Sequence, residues 1–389
     1  MSFRKLRLLT AGESHGPAVT AILEGLPAQL AISQEELQHQ MWRRQLGYGR
    51  GGRMKIESDQ VEITAGIRFG KTIGSPVGIL VRNADFQNWQ EVMSVWGPED
   101  RRKVVRRPRP GHADLPGGMK YGEKDLRNIL ERASARETVA RTAAGALCKQ
   151  LLHQLGLEIV SHVISIGTVS IGTAELPWEK IAGVQDNDRL RCAVPKVEER
   201  MIAEIEEAKK RKETLGGVFE VIARNVPPGL GSHIQWDQKI DGRIAQAFLS
   251  IPAVKGIAIG NAFQIAERWG SEAHDEIFFE QNSRFIRKTN HAGGTEGGIT
   301  TGQELRVRAA MKPLSTLMKP LHSVDVITKE AQDAVVERSD VCSVPAAGVV
   351  GEAMLALVLA DAVLEKFSND SMPELLAAVD YYRSQLSNY

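Results

Sequence analysis

Two histidines in short loops rich in glycine and proline are candidates for acid–base chemistry. His15 follows Ser14 in AGESHGPA at residues 11–18, and His112 lies in RRPRPGHADLPGG. An imidazole titrates near neutral pH, so either ring could give or take a proton under physiological conditions. For His15, the segment alone fits a glycine-rich turn with a surface histidine as well as it fits a catalytic role.

Arginines dominate the loop that leads to His112, and prolines stiffen it. They are Arg101, Arg102, Arg106, Arg107 and Arg109. Planar guanidinium groups bind carboxylate and phosphate through two hydrogen bonds, so this loop predicts an anion receptor. Nucleic acid binding is the competing interpretation. It is less favoured because residues 101–112 contain no aromatic side chain for base stacking, and the formal net charge is only +1.

A third cationic segment, RRQLGYGRGGR at residues 43–53, contains G-x-G-x-x-G through Gly47, Gly49 and Gly52. A dinucleotide-binding fingerprint requires a strand before these glycines and a helix after them, whereas here a predicted helix precedes them. We therefore predict a flexible basic lid that orders over an anion. An exposed, arginine-rich loop is the alternative.

Three further segments could bind anions. In ERASARET, Arg132 and Arg136 are four residues apart on a predicted helix, so both are expected to point at one site. Asp340 lies just before a long apolar helix, whose free amides favour anions, although Arg338 and Asp340 could instead only stabilise the turn. The segments GGTEGGITTG at 293–302 and MKPLSTL at 311–317 offer amides, a lysine and hydroxyls of the kind that bind a phosphate tail.

The elements that must position these loops include two long helices. Apolar spacing predicts one from Glu123 to Leu155 and another, apolar on nearly every side, from Pro345 to Phe367. Shorter helices are predicted at Ser33–Arg44, with a capping box, and at Val197–Lys212.

A weak internal repeat predicts a duplicated unit of strands and a helix. Residues 17–30 resemble residues 216–230, and each segment has the pattern of a strand that ends in a proline turn. Farther on, the segment from Thr72 resembles the one from Thr300, and a long apolar helix follows each repeat.

Composition favours one large domain over residues 1–389, because no linker or low-complexity segment divides the chain. A hydrophobic fraction of 42% and the lack of an uninterrupted membrane-length apolar run predict a soluble protein. Three widely spaced cysteines predict neither disulfides nor a metal site and fit a reducing cytoplasm. Balanced charge gives no general reason to expect nucleic acid or membrane partners.

The motifs GESHG, RPGHAD, ERASARET and RSD…PAAG, in this order and at these spacings, resemble the chorismate synthase family across essentially the whole chain. The resemblance implies an α+β fold, a β-α-β sandwich with long central helices between antiparallel sheets, assembled as a homotetramer. It implies conversion of 5-enolpyruvylshikimate 3-phosphate to chorismate by 1,4-anti elimination of phosphate, with reduced FMN required although no net redox change occurs. This is the last common step of the shikimate pathway to aromatic amino acids.

The same resemblance implies roles for individual residues. His15, His112, Asp340, Ser14 and Ser134 match catalytic positions; one histidine is expected near the flavin and the other beside the departing phosphate, and Asp340 is expected to assist removal of the C6 proton. FMN contacts are implied for Arg132, Ala133, Ser134, Ala253, Gly297, Lys312, Pro313, Leu314, Ser315, Thr316 and Arg338. Substrate contacts are implied for Arg44, Arg50, Arg53, Arg109, Arg136 and Arg338, and Arg44 and Arg50 also match NADPH positions. Pro252 departs from the family pattern, which often has asparagine there.

Two other functions are alternatives. The glycine pattern at Gly47 would suit an NADPH-linked flavin reductase, and the loop from Arg101 to Arg109 would suit a polyanion-binding module. The compact length leads us to expect dependence on flavin that is reduced elsewhere, so NADPH would not be required.

Overall fold

The computed structural model describes residues 5–51, 59–98, 100–173, 175–280, 284–337, 340–368 and 370–389. Arg53, Arg338 and Gly52 therefore lie outside the described residues. Within them, helices and antiparallel sheets form a large hydrophobic cluster that draws side chains from both halves of the chain, with two smaller clusters beside it.

The first half of the chain contributes a four-stranded antiparallel sheet. Its strands are β1 (Arg7–Ala11), β2 (Ala18–Glu24), β3 (Val61–Ala65) and β6 (Val77–Arg82), in the order β1-β2-β6-β3. Side chains of β2 alternate between buried and exposed, as expected for a strand with one face on the core. A small hairpin, β4 (Ile67–Arg68) and β5 (Lys71–Thr72), lies between β3 and β6 in sequence.

The second half contributes a five-stranded sheet. It consists of β7 (Glu158–Ile166), β8 (Val169–Ser170), β9 (Gly217–Arg224), β10 (Val254–Ile259) and β15 (Leu305–Met311), in the order β10-β15-β9-β7-β8. Like the β4–β5 hairpin, three further hairpins among the described residues are separate from both large sheets. They are β11 (Ile277–Glu280) with β12 (Arg284–Arg287), β13 (Thr295–Glu296) with β14 (Ile299–Thr300), and β16 (His322–Val324) with β17 (Ala331–Asp333).

Helices pack between and around the sheets. They are α1 (Gln34–Gln45), α2 (Asp114–Tyr121), α3 (Arg127–Ala133), α4 (Thr138–Gln154), α5 (Trp178–Ala182), α6 (Pro195–Lys210), α7 (Ile240–Leu249), α8 (Ala262–Ile265), α9 (Gly270–Ala273), α10 (Val344–Lys366) and α11 (Met372–Leu386). In the middle, α4 lies against the first sheet, α10 lies against the second, and the two helices pack on each other. At Gly145 a side-chain Cβ would lie 2.4 Å from the Cβ of Ala353, so only glycine allows this approach.

The two halves repeat the same order of elements, as the sequence predicts. The first half runs β1, β2, α1, β3, β6, α4, and the second runs β7, β9, α7, β10, β15, α10, with small elements added between them. Strands β1, β2, β6 and β3 are neighbours in that order in the first sheet, and their equivalents β7, β9, β15 and β10 are neighbours in the same order in the second. The predicted α+β sandwich, with long helices between antiparallel sheets, is confirmed.

The predicted helix at Pro345–Phe367 is confirmed within a residue at each end, and α1 begins after Ser33, whose hydroxyl accepts from Glu36 N at 3.1 Å. By length and composition α10 could cross a membrane, but 89% of its most apolar window is buried inside the protein. Other parts of the protein therefore cover most of this helix.

The single predicted helix from Glu123 to Leu155 is wrong. Helix α3 ends at Ala133, Ser134 adopts an extended conformation (φ −63°, ψ 142°), and a short 3-10 turn at Ala135–Glu137 leads into α4. Ser134 Oγ accepts from Arg136 N at 3.3 Å, so the serine caps the next turn instead of continuing the helix. The sequence S-x-x-E at 134–137 is the capping pattern that marks this break.

Candidate functional site

The His15 imidazole is held by Glu131, a buried residue of α3. His15 Nδ1 lies 2.8 Å from Glu131 Oε1, and the His15 backbone N–H donates to Oε2 at 2.8 Å. Ser14 N–H donates to the Glu131 carbonyl at 3.0 Å, and the His15 ring stacks on Trp89 with centroids 3.8 Å apart. The Ser14–His15 loop is therefore tied to the helix that carries the predicted arginine and serine contacts.

The second imidazole, that of His112, is held in a similar way by Asp114, at the start of α2. His112 Nδ1 lies 2.6 Å from Asp114 Oδ1, and Arg109 Nε donates to Oδ2 at 2.8 Å. Burial alone would raise the pKa of the Asp114 carboxyl, but hydrogen bonds from His112 and Arg109 hold that pKa well below its usual range. Asp114 is therefore a carboxylate at neutral pH, and it orients an imidazole and a guanidinium together.

The loop before His112 lies against the segment at 312–316. Arg109 Nη1 donates to Thr316 Oγ1 at 3.2 Å, and a Cβ added at Gly111 would lie 3.6 Å from both Lys312 Nζ and Ser315 Cβ. The structure therefore brings His112 beside a stretch that the sequence assigns to phosphate binding.

Ala253 joins the same stretch, because Lys312 N–H donates to the Ala253 carbonyl at 2.9 Å. Ala253 has a left-handed backbone (φ 68°), a conformation that is uncommon for a residue other than glycine. Burial and the nearby charge of Lys255 lower the pKa of the Lys312 ammonium. Two neighbouring lysines make this an electropositive corner.

Arg44 and Arg136 meet on one buried carboxylate, that of Asp59. Arg44 Nη2 lies 2.8 Å from Asp59 Oδ2, and Arg136 Nη1 lies 2.7 Å from Oδ1. Burial would raise the pKa of the Asp59 carboxyl, but the two guanidinium charges lower it. One ionised carboxylate thus fixes two of the predicted substrate contacts.

Arg132 and Arg136 do not point at one site, contrary to the helical-face prediction. Arg132 is exposed, and its guanidinium donates to Thr10 O at 3.0 Å and to Gly12 O at 3.2 Å, at the end of β1. Arg136 is buried on Asp59. The break at Ser134 changes the direction of the chain between the two arginines, so their spacing of four residues does not place them on one face.

Asp340 links the glycine-rich loop to the beginning of α10. Its Oδ1 accepts from Gly51 N at 2.7 Å, while Oδ2 accepts from Ser343 Oγ at 2.7 Å and lies 3.2 Å from Arg50 Nε. Gly49 O also accepts from Val341 N at 2.8 Å.

Residues 47–51 of the predicted lid are thus held against the turn at Asp340 and Val341. They follow α1 directly, and Gly47 and Gly49 have positive φ angles of 122° and 88°. A helix therefore stands where a dinucleotide fingerprint needs a strand, which argues against a nicotinamide site of that kind.

Contacts between segments join these groups. Arg127 of α3 donates through Nε to Lys103 O at 2.6 Å, which connects the His15 cluster to the loop that ends at His112. Thr214 Oγ1 donates to Leu314 O at 2.7 Å and Leu215 N donates to Val341 O at 2.8 Å, so residues 214–215 lie between the 312–316 segment and the Asp340 turn. Gly297 lies in the β13–β14 turn, where its carbonyl accepts from Lys239 Nζ at 2.9 Å.

Three buried carboxylates that contact candidate site residues were not predicted from the sequence: Glu131, Asp114 and Asp59. Glu131 and Asp114 belong to the motifs ERASARET and RPGHAD, whose basic residues alone drew the predictions. Asp59 had no local signal, because its partners Arg44 and Arg136 are brought to it by the fold.

The fold is a duplicated sandwich, and its loops carry two imidazoles, each held by a carboxylate, together with buried arginines. These features are those of an enzyme that acts on anionic small molecules by acid–base chemistry. Comparison with known proteins makes the assignment specific. Residues 6–364 match the family model described as chorismate synthase. The chain belongs to the chorismate synthase family.

Relatives and a solved structure agree over the full length. The chain is 54% identical to "Chorismate synthase" of Aquifex aeolicus (strain VF5) over 398 residues, covering 100% of both chains. It is 52% identical to the protein of that name from Thermus thermophilus, covering 99% of this chain and 100% of the relative. A solved structure titled "Crystal Structure of Chorismate Synthase" is 45% identical, covers 100% of both chains and superposes with a TM-score of 0.81.

Proposed function

We propose that the chain is a carbon–oxygen lyase that eliminates phosphate from 5-enolpyruvylshikimate 3-phosphate to give chorismate, and that residues 1–389 act as a single domain. The observation that carries the proposal is the fixing of both imidazoles by ionised carboxylates, His15 by Glu131 and His112 by Asp114. Full-length similarity to proteins named chorismate synthase supports the same reaction.

Substrate binding is assigned to Arg44, Arg50, Arg109 and Arg136, with Arg53 and Arg338 added from the sequence. The substrate carries two carboxylates and a phosphate, and rigid guanidinium forks suit such groups. Each of the four described arginines already contacts a carboxylate of the protein, Asp59, Asp340 or Asp114. A guanidinium has five N–H donors, so one fixed by its own carboxylate can still donate to a ligand.

Elimination requires that a base accept the C6–H proton and that the C3–O bond break with its electron pair leaving on phosphate. The family resemblance implies that the base would be N5 of bound reduced FMN, assisted by Asp340. We place His15 beside the departing phosphate, where an imidazolium would protonate the leaving oxygen. The cations Arg127 and Lys103 lie in the same cluster and would stabilise the charge that develops there. Ser14 is held next to His15 by its bond to Glu131, and Ser134 lies one turn beyond Glu131.

The phosphate tail of reduced FMN is assigned to the corner where the loop that carries His112 lies against residues 312–316. The fit rests on Lys312 and Lys255, whose neighbouring positive charges an anionic phosphate tail would offset. The remaining assigned contacts are Arg132, Ala133, Ser134, Ala253, Gly297, Lys312, Pro313, Leu314, Ser315, Thr316 and Arg338. When bound, reduced FMN supplies an electron to the allylic system and recovers it, so that the reaction has no net redox change.

We further propose a homotetramer that acts in the cytoplasm and receives flavin reduced elsewhere, with NADPH not required. Velocity sedimentation would test the tetramer. Oxidation of NADPH in air, with FMN and no other enzyme, would instead favour an intrinsic flavin reductase that uses Arg44 and Arg50.

The deciding experiment is an anaerobic assay of phosphate release from 5-enolpyruvylshikimate 3-phosphate, with and without dithionite-reduced FMN. We expect release only with reduced FMN. No release in either condition would refute the lyase assignment. A filter-binding assay with heparin or RNA at physiological salt tests the polyanion alternative, which specific, salt-resistant binding would support.

A further inference from the structure

Both carboxylate oxygens of Glu131 contact His15. Oε2 accepts the His15 backbone N–H at 2.8 Å, and His15 Nδ1 lies 2.8 Å from Oε1 and 3.0 Å from Oε2. The Glu131 side chain is only 1% exposed. One buried residue therefore fixes the backbone and the ring of the same histidine.

The Glu131 carboxylate is ionised at neutral pH. Burial would raise the pKa of this carboxyl, but its contacts with His15 and a hydrogen bond from Arg127 lower it. Arg127 Nη1 lies 3.1 Å from Oε1, and its Nη2 lies 3.3 Å from Glu337 Oε1. An ionised carboxylate can only accept hydrogen bonds, so the proton of a neutral His15 ring must lie on Nδ1.

The ring plane of His15 is fixed by Trp89. The two rings stack with centroids 3.8 Å apart and planes 23° apart. Lys103 Nζ lies 3.4 Å from the centroid of the same indole; because no ammonium fits between stacked rings, Lys103 covers the other face. Glu131 thus holds the Nδ1 edge of the imidazole and Trp89 covers one face, so of the two ring nitrogens Nδ1 is the one bonded to the Glu131 carboxylate.

We propose that Glu131 is a positioning residue for His15: it sets the ring orientation and the Nδ1–H tautomer, so that Nε2 is the atom that exchanges a proton with substrate. This inference rests on the proposed function only for its kinetic consequence. The tautomer and the ring orientation follow from the contacts of Glu131 alone.

The test is Glu131→Gln, compared with Glu337→Gln as the matched control. Both variants remove a carboxylate that contacts Arg127, but only Glu131 contacts His15. A glutamine has one acceptor oxygen, and its NH₂ can donate to Nδ1, so the Nε2–H tautomer becomes accessible. The readouts are the ¹⁵N shifts of the His15 ring in selectively labelled protein, assigned with His15→Asn, and the kcat and KM for anaerobic phosphate release.

We expect the neutral His15 ring of the parent and of Glu337→Gln to show Nδ1–H with an unprotonated Nε2. Glu131→Gln should show a mixed or Nε2–H ring, and its kcat should fall about 10²-fold with little change in KM, the scale of a misplaced catalytic group. A parent-like tautomer together with a parent-like kcat in Glu131→Gln would overturn the proposal.

Two results separate this inference from the proposed function. If the parent releases no phosphate but the ring changes tautomer in Glu131→Gln, the lyase assignment fails and the positioning role stands. If Glu131→Gln does not fold, the ¹⁵N shifts of the unmutated protein still decide, because an Nε2–H ring in the parent contradicts the proposal. Glu131→Asp then supplies the kinetic test: the carboxylate is kept but shortened by one methylene, and we expect a smaller loss of kcat than an uncharged side chain would cause.

Discussion

Asp114 Oδ1 lies 2.6 Å from His112 Nδ1, and the same carboxylate receives Arg109 Nε on its other oxygen at 2.8 Å. Arg109 Nη2 also lies 3.0 Å from His112 Nδ1. A guanidinium only donates hydrogen bonds and an ionised carboxylate only accepts them, so the shorter contact with Asp114 places the proton of a neutral ring on Nδ1. The His112 imidazole and the Arg109 guanidinium are therefore oriented as one unit.

Replacing His112 with alanine should lower turnover by roughly 10²–10⁴-fold, the usual range for loss of a positioned acid or base. The half-buried ring is not part of the hydrophobic core, so we expect the fold to survive. The measurement is anaerobic phosphate release across pH, with circular dichroism as the control for folding. A near-normal rate with an unchanged pH profile would show that His112 has only a structural role.

Asp114→Asn should lower kcat/KM by about 10²-fold, because the amide NH₂ that replaces one carboxylate oxygen cannot accept a hydrogen bond, so either the contact with His112 at Oδ1 or the contact with Arg109 at Oδ2 is lost and that side chain must shift. Asp100→Asn is the matched control: Asp100 lies in the same loop region and pairs with the exposed Arg102. We expect parent-like kinetics for the control. Equal kinetic constants for the two variants would mean that Asp114 does not orient either group during the reaction.

Asp59→Asn should destabilise the protein at neutral pH, because it leaves Arg44 and Arg136 buried without their shared countercharge; removal of one partner from a buried ion pair costs about 3–5 kcal/mol. The folded-state pKa of Asp59 lies below its usual value, so its stabilising contribution is present above about pH 3.9 and is lost as pH falls through the folded-state pKa. The difference in unfolding free energy between parent and variant should therefore be largest near pH 7 and shrink below about pH 4.

Urea unfolding at fixed protein concentration over this pH range measures that difference. Glu62→Gln is the control, since Glu62 pairs with Arg82 at the surface with side chains 48% and 70% exposed, and it should change stability little. A pH-independent difference for Asp59→Asn would show that packing rather than charge accounts for its effect.

The sequence predicted the elements whose signals are local. Apolar spacing located α10, the capping residue Ser33 located the beginning of α1, and the similarity of residues 17–30 to 216–230 identified two strands that hold equivalent places in their sheets. These features depend on neighbours a few residues apart, so composition and periodicity were sufficient.

The remaining features depend on residues distant in sequence. His15 and Glu131 are 116 positions apart in the sequence, and no local pattern in either segment indicates that their side chains are in contact. The capping pattern at Ser134 was outweighed by the apolar periodicity on both sides of it, which predicted one helix where two occur. The error carried over to Arg132, whose predicted direction assumed an unbroken helix.

Asp340→Asn separates a part in proton transfer from an anchoring role. In the structure, the carboxylate accepts from Gly51 N and Ser343 Oγ and pairs with Arg50. Asparagine can keep the bond to Gly51, but it loses the charge that pairs with Arg50. If Asp340 assists removal of the C6 proton, kcat should fall by about 10²-fold and the isotope effect of deuterium at the pro-R position of C6 should increase.

The measurement is single-turnover, anaerobic phosphate release with protonated and deuterated substrate. Ser343→Ala is the control, because it removes a hydrogen-bond donor to Asp340 Oδ2 and keeps the carboxylate. We expect its isotope effect to equal that of the parent. A higher KM for Asp340→Asn with a parent-like isotope effect would instead mean that the carboxylate only fixes Arg50 and the loop at residues 47–51. Asp340 would then not be a catalytic residue.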